Sequence, residues 1–352
     1  MHEYLIYAAV LLFLVVGAGL VVARSSATVD RQDHVGLTAT GRLKVASLAL
    51  IVEVLTPLVN RLVRYPKVHA GSVTRFVVKT SYGDTRIDVY RPVQSGDSPL
   101  PVHFNVHGGG FVVGNLKTDA PWCNYLCDRA QCVVINIDYA LAPRHTFPDP
   151  VYQCHEVISW AKVNAGDLGI DIERMSIGGD SAGGNLSLAV ALLAIEKPDF
   201  VLRAVVPGVP LFDIDSDPAT KNVIPGFKQD LTVKDVELAR DVYVPRYTDR
   251  KHPLASPLFS DRLAELPSVF IVSAKNDILH SDAVAMETKL QAHGVDVGHL
   301  DVEGAGHGLL HLGNIELMLM AWDAMVAAIV RASQVGKKIQ TTNSIGHAAT
   351  FD

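Results

Sequence analysis

From residue 73 onward, short runs dense in Val, Ile and Phe alternate with longer stretches whose apolar residues recur every three or four positions. Four to eight β-branched or aromatic residues bounded by turn formers read as a strand, and recurrence at i, i+3, i+4 and i+7 reads as an amphipathic helix. The pattern predicts strands at 73–80, 85–91, 102–106, 133–138, 175–178, 204–209, 269–274 and 297–302. Between the later strands it predicts helices at 151–164, 182–195, 282–293 and 315–332. Tyr82, Gly83 and Asp84 are a turn signal that makes the first two strands a hairpin. The rest read as strand–helix–strand units, hence an α/β fold with a mostly parallel eight-stranded sheet covered on both faces. No internal repeat interrupts this scheme.

Two regions break the alternation: the N-terminal stretch to residue 66, and residues 212–262 between the sixth and seventh strands. Long insertions in a compact domain are usually lids or binding elements, and the two together are expected to form a helical cap. Residues 5–23 contain no charge, which is long enough to cross a hydrocarbon core as a helix. Only His2 and Glu3 precede the run, where a secretory signal usually starts with Lys or Arg. An uncleaved N-terminal membrane anchor is therefore the expectation, with a cleaved signal as its alternative. The nearest cations, Arg24, Arg31, Arg42 and Lys44, all follow the run and favour a body on the cytosolic side, though the side is left open. Residues 43–62 carry Lys44, Glu53, Asn60 and Arg61 and are interrupted by Pro57, which predicts a pair of amphipathic turns on the protein or membrane surface. The expected organisation is an anchor at 1–24, a cap or linker segment at 25–66, a catalytic domain at 67–335 with its insertion at 212–262, and a polar, frayed tail at 336–352.

With 49% hydrophobic residues in 352, the chain can bury a large core. Its formal net charge of −6 and the lack of any dense Lys/Arg run argue against a nucleic-acid partner. Cys123, Cys127, Cys132 and Cys154 read as small buried thiols, with one disulfide left open.

The sharpest chemical signal is Gly179-Asp180-Ser181-Ala182-Gly183, between a predicted strand and a predicted helix. A serine on a tight strand-to-helix turn presents its oxygen, and small residues two positions either side let the turn close. Such a serine needs a base. Among fourteen histidines, His307 follows the last strand with small residues on both sides, Gly304-Ala305-Gly306-His307-Gly308, whereas its rivals by position, His280, His293, His299 and His311, lack that setting. The orienting acid is expected after the seventh strand, which selects Asp277; Asp282 opens the next helix, where a carboxylate is favoured by the dipole anyway. His107-Gly108-Gly109-Gly110-Phe111 follows the third strand, and its bare backbone N–H groups, with that of Ala182, are suited to hold an oxyanion. It lacks the G-x-x-x-x-G-K-S/T pattern of a phosphate cradle.

Taken jointly, these motifs, Asp138-Tyr139-Ala140-Leu141-Ala142-Pro143, Ala255-Ser256-Pro257-Leu258 and Asn276-Asp277-Ile278-Leu279 resemble the hormone-sensitive-lipase branch of the α/β hydrolases. That branch includes bacterial esterases and the membrane-anchored arylacetamide deacetylases. The resemblance runs from about residue 91 to the last helix. It implies a Ser181–His307–Asp277 triad, oxyanion donors at Gly109, Gly110 and Ala182, and supporting roles for His107, Gly108, Gly179, Asp180 and Gly183. It also implies hydrolysis of short-to-medium acyl or aryl esters through an acyl-enzyme, with no metal or organic cofactor and a small ester or lipid as partner. Amide deacetylation and lipid hydrolysis use the same triad, while a non-catalytic receptor on this scaffold is disfavoured by the presence of His307. Two positions depart from the family pattern: Arg144, where an acidic residue is usual, and Ala140, where a basic one is.

Overall fold

Strands that bury both faces show no polar side, so their sequences run apolar without alternation. Val133-Val134-Ile135 is such a run. In the computed structural model Val133, Ile135 and Ile137 enter one hydrophobic cluster and Val134 the other. The structure describes residues 28–29, 35–36, 39–63, 65–93, 98–222 and 229–334. The uncharged run at 5–23 and the tail at 336–352 lie outside the described residues. Among the described residues no helix is long and apolar enough to cross a membrane.

All eight predicted strands are present: β1 (Ser72–Thr80), β2 (Gly83–Arg91), β3 (Leu100–Val106), β4 (Val133–Asp138), β5 (Ile170–Asp180), β6 (Ala204–Gly208), β7 (Ser268–Ala274) and β8 (Val297–Val302). They form one sheet in the order β8-β7-β6-β5-β3-β4-β2-β1. β2 runs against its neighbours β1 and β4, and the other pairs are parallel. The main helices are α1 (Ala39–Leu62), α2 (Ala120–Ala130), α3 (Asp149–Val163), α4 (Ala182–Glu196), α5 (Val233–Tyr243), α6 (His280–Ala292) and α7 (Ile315–Gln334). Side chains of α3, α4 and α6 pack on one face of the sheet, and those of α2 and α7 on the other. Every residue of α4 from Ala182 to Ala194 is buried, which accounts for its apolar composition on all sides.

The structure corrects two expectations and closes a third. Residues 43–62 are not a pair of turns: α1 continues through Pro57, and the Thr56 hydroxyl donates to the Val52 carbonyl there (2.6 Å). α2 was not predicted. It is only 11 residues long, carries Pro in its first turn, and spaces its buried Trp122, Cys123, Leu126 and Cys127 with Asn124, Asp128 and Arg129. Proline in the first turn costs a helix nothing, because the missing N–H has no partner there. All four cysteines are buried and free, so the disulfide left open does not form.

Both aperiodic regions meet the sheet at the same place. Val45 of α1 and Val242 of α5 pack with Val112 and Ala142, and Asn60 donates to the Lys117 carbonyl (2.7 Å). Residues 112 to 117 belong to the loop after β3, so α1 and α5 lie beside the loops at the carboxyl ends of the strands. Leu193, fully buried in α4, is a remote probe of this packing. Leu193→Ala is expected to cost about 2–5 kcal/mol of unfolding free energy. A urea midpoint unchanged from the parent chain would show that α4 is not held as described.

Candidate active site

At the end of β5 the chain turns into α4 through Ser181, whose backbone has φ 54° and ψ −113°. A non-glycine residue there costs about 1–3 kcal/mol and persists only where its surroundings over-determine it. Its surroundings do: the Ser181 N–H donates to the Gly208 carbonyl (2.8 Å), and α4 is packed on all sides. The small residues of the motif have a single cause. A Cβ on Gly179 or Gly183 would lie 2.0 or 1.9 Å from the Val106 carbonyl oxygen, so both backbones press on the same atom.

The three side chains selected from sequence converge. His307 Nε2 is 2.9 Å from Ser181 Oγ, and His307 Nδ1 is 2.8 Å from Asp277 Oδ2. Asp277 is 1% exposed, and its other oxygen accepts from the Leu279 N–H (3.0 Å). A carboxylate accepts only, so Nδ1 carries the proton toward Asp277 and the Nε2 lone pair faces the serine hydroxyl. Burial works to lower the imidazole pKa, but Asp277, Asp230 and Asp180 outweigh it, and the net shift is upward.

The rejected alternatives have other partners. Asp282 accepts from the Phe212 and Asp213 N–H groups and from Lys221 Nζ (2.5 Å), a buried pair at the start of the insertion. Burial, against the pull of Lys221, raises its carboxyl to about 6. His280 faces Asp301, His299 lies between Glu287 and Ser273, and His293 meets the Lys289 carbonyl.

The glycine loop after β3 is held from below. The Gly108 N–H donates to Asp180 Oδ1 (2.9 Å), and a Cβ on Gly108 would fall 2.3 Å from Asp180 Oδ2. The His107 ring stacks on Tyr139 (4.3 Å), whose hydroxyl donates to the His107 carbonyl (3.0 Å). Gly109 has φ 111°, a conformation that only glycine adopts at low cost. Among the described residues no backbone acceptor takes the N–H of Gly109 or Gly110. Ala182 is the first residue of α4, where helix N–H groups point outward without an intrahelical partner.

Two features were not foreseen. The first is Asp230, from the insertion, whose two oxygens accept from the N–H groups of His307 (2.9 Å) and Gly308 (2.6 Å). Its partners are main-chain amides, which leave no trace in a residue pattern. The second lies beneath the glycine loop, where Asp119, Asp180 and His311 face one another. His311 Nε2 is 3.2 Å from Asp180 and 3.9 Å from Asp119. The three donor atoms lie within 4.8 Å of one another, a grouping with the ligand types of a metal site. A protonated imidazole meets the same electrostatic need: His311 is raised to about 9, burial being outweighed by Asp180 and Asp119. Correspondingly, Asp180 is held below its usual range against its own burial, chiefly by His311, while burial and then Asp180 raise Asp119. Asn105 and these three residues line a cavity of about 10 Å3, room for about one water molecule.

A family model described as the alpha/beta hydrolase fold matches residues 103–311. The chain is 34% identical over 246 residues to an arylesterase of Saccharolobus solfataricus, covering 70% of this chain and 79% of that protein. It is 30% identical over 251 residues to an acetyl esterase of Salmonella paratyphi B, covering 71% and 76%. Among solved structures, the thermostable carboxylesterase EstE1 from a metagenomic library superposes with a TM-score of 0.75 at 26% identity, covering 82% of this chain and 98% of that one. A solved arylesterase gives 0.70 at 28%, covering 81% and 90%.

The His311 pair sets a pH dependence. Its folded pKa of about 9 lies above the ordinary 6.5, so the stabilisation is fully present below 6.5 and is lost as pH rises through about 9. His311→Gln is expected to remove that loss, a difference on the order of 3 kcal/mol across the window. Denaturant unfolding of both chains from pH 6 to 10 measures it, and parallel curves would mean the imidazole is not charged in the fold.

Proposed function

The chain belongs to the α/β-hydrolase fold family and is a hydrolase of carboxylic esters; on that premise we propose that Ser181, His307 and Asp277 carry the reaction through an acyl-enzyme. The observation that carries this reading is the unbroken hydrogen-bond line from Ser181 Oγ through the His307 ring to Asp277. His307 takes the hydroxyl proton at Nε2 as Oγ attacks the ester carbonyl. Asp277 holds the tautomer and stabilises the imidazolium while remaining ionised. The carbonyl oxygen becomes an oxyanion and accepts from the N–H groups of Gly109, Gly110 and Ala182, each such donor being worth about 3 kcal/mol in the transition state. His307 then protonates the departing alcohol, and water repeats the cycle on the acyl-enzyme. His107, Gly108, Asp180, Gly179 and Gly183 serve by shaping the loop and the turn.

The substrate we propose is an aryl or short-to-medium acyl ester, a reading supported by the similarity to an arylesterase and an acetyl esterase. Ser181→Ala is expected to abolish turnover of p-nitrophenyl esters, at least about 1000-fold, with the fold intact. A fluorophosphonate should label the parent chain at Ser181 and spare the variant. Turnover that survives the substitution would assign the chemistry to another residue. A p-nitrophenyl acyl series run beside an acetanilide and a triglyceride emulsion separates esterase from deacetylase and lipase.

A membrane location is proposed alongside. The uncharged run at 5–23 is the anchor, and α1 offers a matching surface: Leu50, Val54, Leu58 and Leu62, four residues apart, are all exposed. Such a ridge suits the headgroup boundary, where apolar side chains are removed from water. The full chain should sediment with membranes and resist extraction by alkaline carbonate; recovery in the carbonate supernatant would count against the anchor.

A further inference from the structure

We infer that Asp230, carried by the insertion between β6 and β7, is a positioning residue that seats the His307 loop, so that the insertion and the base form one working unit. The inference rests on reading His307 as the general base. Both carboxylate oxygens are used, Oδ1 by the His307 N–H and Oδ2 by the Gly308 N–H. Two consecutive main-chain amides converging on one carboxylate fix the direction of the peptide between them, and with it the Cα from which the imidazole departs.

The neighbouring residues are cut to fit this carboxylate. A Cβ on Gly306 would stand 2.8 Å from Asp230 Oδ1, and one on Gly308 2.9 Å from Oδ2. The Gly-His-Gly motif is thus the seat of an acidic side chain from 77 residues upstream. Asp230 is itself held in place. Two residues later Thr232 and Asp235 form a reciprocal cap at the start of α5. That helix buries Val236, Ala239, Val242 and Tyr243. Tyr243 stacks on Phe111 (3.8 Å, 7° between planes), and the Ala239 Cβ lies 3.3 Å from where a Cβ on Gly110 would be. The insertion therefore touches the base loop through Asp230 and the glycine loop through α5, and holds the two in register.

The groups that bear on the imidazole are Asp277 after β7, Asp230 from the insertion and Asp180 at the end of β5. Asp180 in turn faces His311, on the turn that follows His307. Asp230 is thus one of three carboxylates favouring the imidazolium that forms when the serine loses its proton. A group that only props up the loop would leave the titration of His307 alone, whereas a carboxylate at this position does not.

The test uses the full chain with Asp230→Asn, Asp230→Ala and Asp230→Glu, assayed on p-nitrophenyl acetate. Misplacing the base is expected to lower kcat about 10- to 100-fold in the Asn and Ala variants with little change in KM. The acid limb of kcat/KM, which reports the base in the free enzyme, should move to lower pH in both, and Asp230→Glu should restore part of each effect. Circular dichroism melting checks that the variants remain folded at the assay temperature. An acid limb and a kcat indistinguishable from the parent in folded Asp230→Asn would overturn the proposal. If Ser181→Ala retains turnover, the triad reading is what fails. Amide exchange at 307 and 308 then decides on the clamp: protection lost in Asp230→Ala sustains it, and protection unchanged refutes it.

Discussion

The site depends on one carbonyl oxygen. Val106 O, at the end of β3, receives the backbones of both Gly179 and Gly183, each so near that a methyl group would overlap it. β3 and β5 are neighbours in the sheet with Val106 paired to Gly179. The strand that precedes Ser181 and the helix that follows it are thereby drawn onto the end of the adjacent strand, and the residue between them has no relaxed conformation to adopt. The positive φ of Ser181 is the consequence. Any side chain at 179 or 183 would push the helix away and relax the turn, and the hydroxyl would leave the line to His307. The remaining parts are arranged around a point this contact defines.

Charge is the second constraint. Asp119, Asp180, Asp277 and Asp282 are buried or nearly so, and each is answered locally, by His311, by the Gly108 N–H, by His307 or by Lys221. Ionised carboxylates in a poorly solvated place are tolerated only with such partners. One result is that Asp180, although it immediately precedes the serine, serves the opposite side of the site: it holds the glycine loop by Gly108 and in turn is held by His311.

Much of this was legible in the sequence, for physical reasons that differ by element. The central strands stood out because burial on both faces favours unbroken apolar runs, as in Val133-Val134-Ile135. His307 stood out by its glycines, yet for an incomplete reason. A glycine setting alone does not say what it is for, and in the structure Gly306 and Gly308 make space for Asp230. Asp230 was invisible because it answers main-chain amides, and any residue type has those. α2 was missed because its buried residues are interleaved with polar ones and a proline in the first turn resembles a breaker. At α1 the proline again resembles a breaker, yet the helix continues through Pro57 to Leu62.

The two departures from the family pattern, Ala140 and Arg144, fall in the segment after β4, and the contacts around them show what supports that segment here. Asp138 pairs with Arg86 of β2 at 2.7 Å, and the backbone register places the two residues opposite each other. Arg86 is more than half exposed, so the pair is worth at most about 1 kcal/mol and chiefly sets orientation. The backbone N–H of Ala140 donates to the Gln153 side chain (2.5 Å) from α3. Arg144 is exposed and takes no part in these contacts. Tyr139, between these positions, still reaches the His107 carbonyl. What the segment must deliver to the site is that one hydroxyl at the base of the glycine loop. Tyr139 follows directly on the last residue of β4, so the end of that strand carries its ring onto His107 and its hydroxyl to the glycine loop.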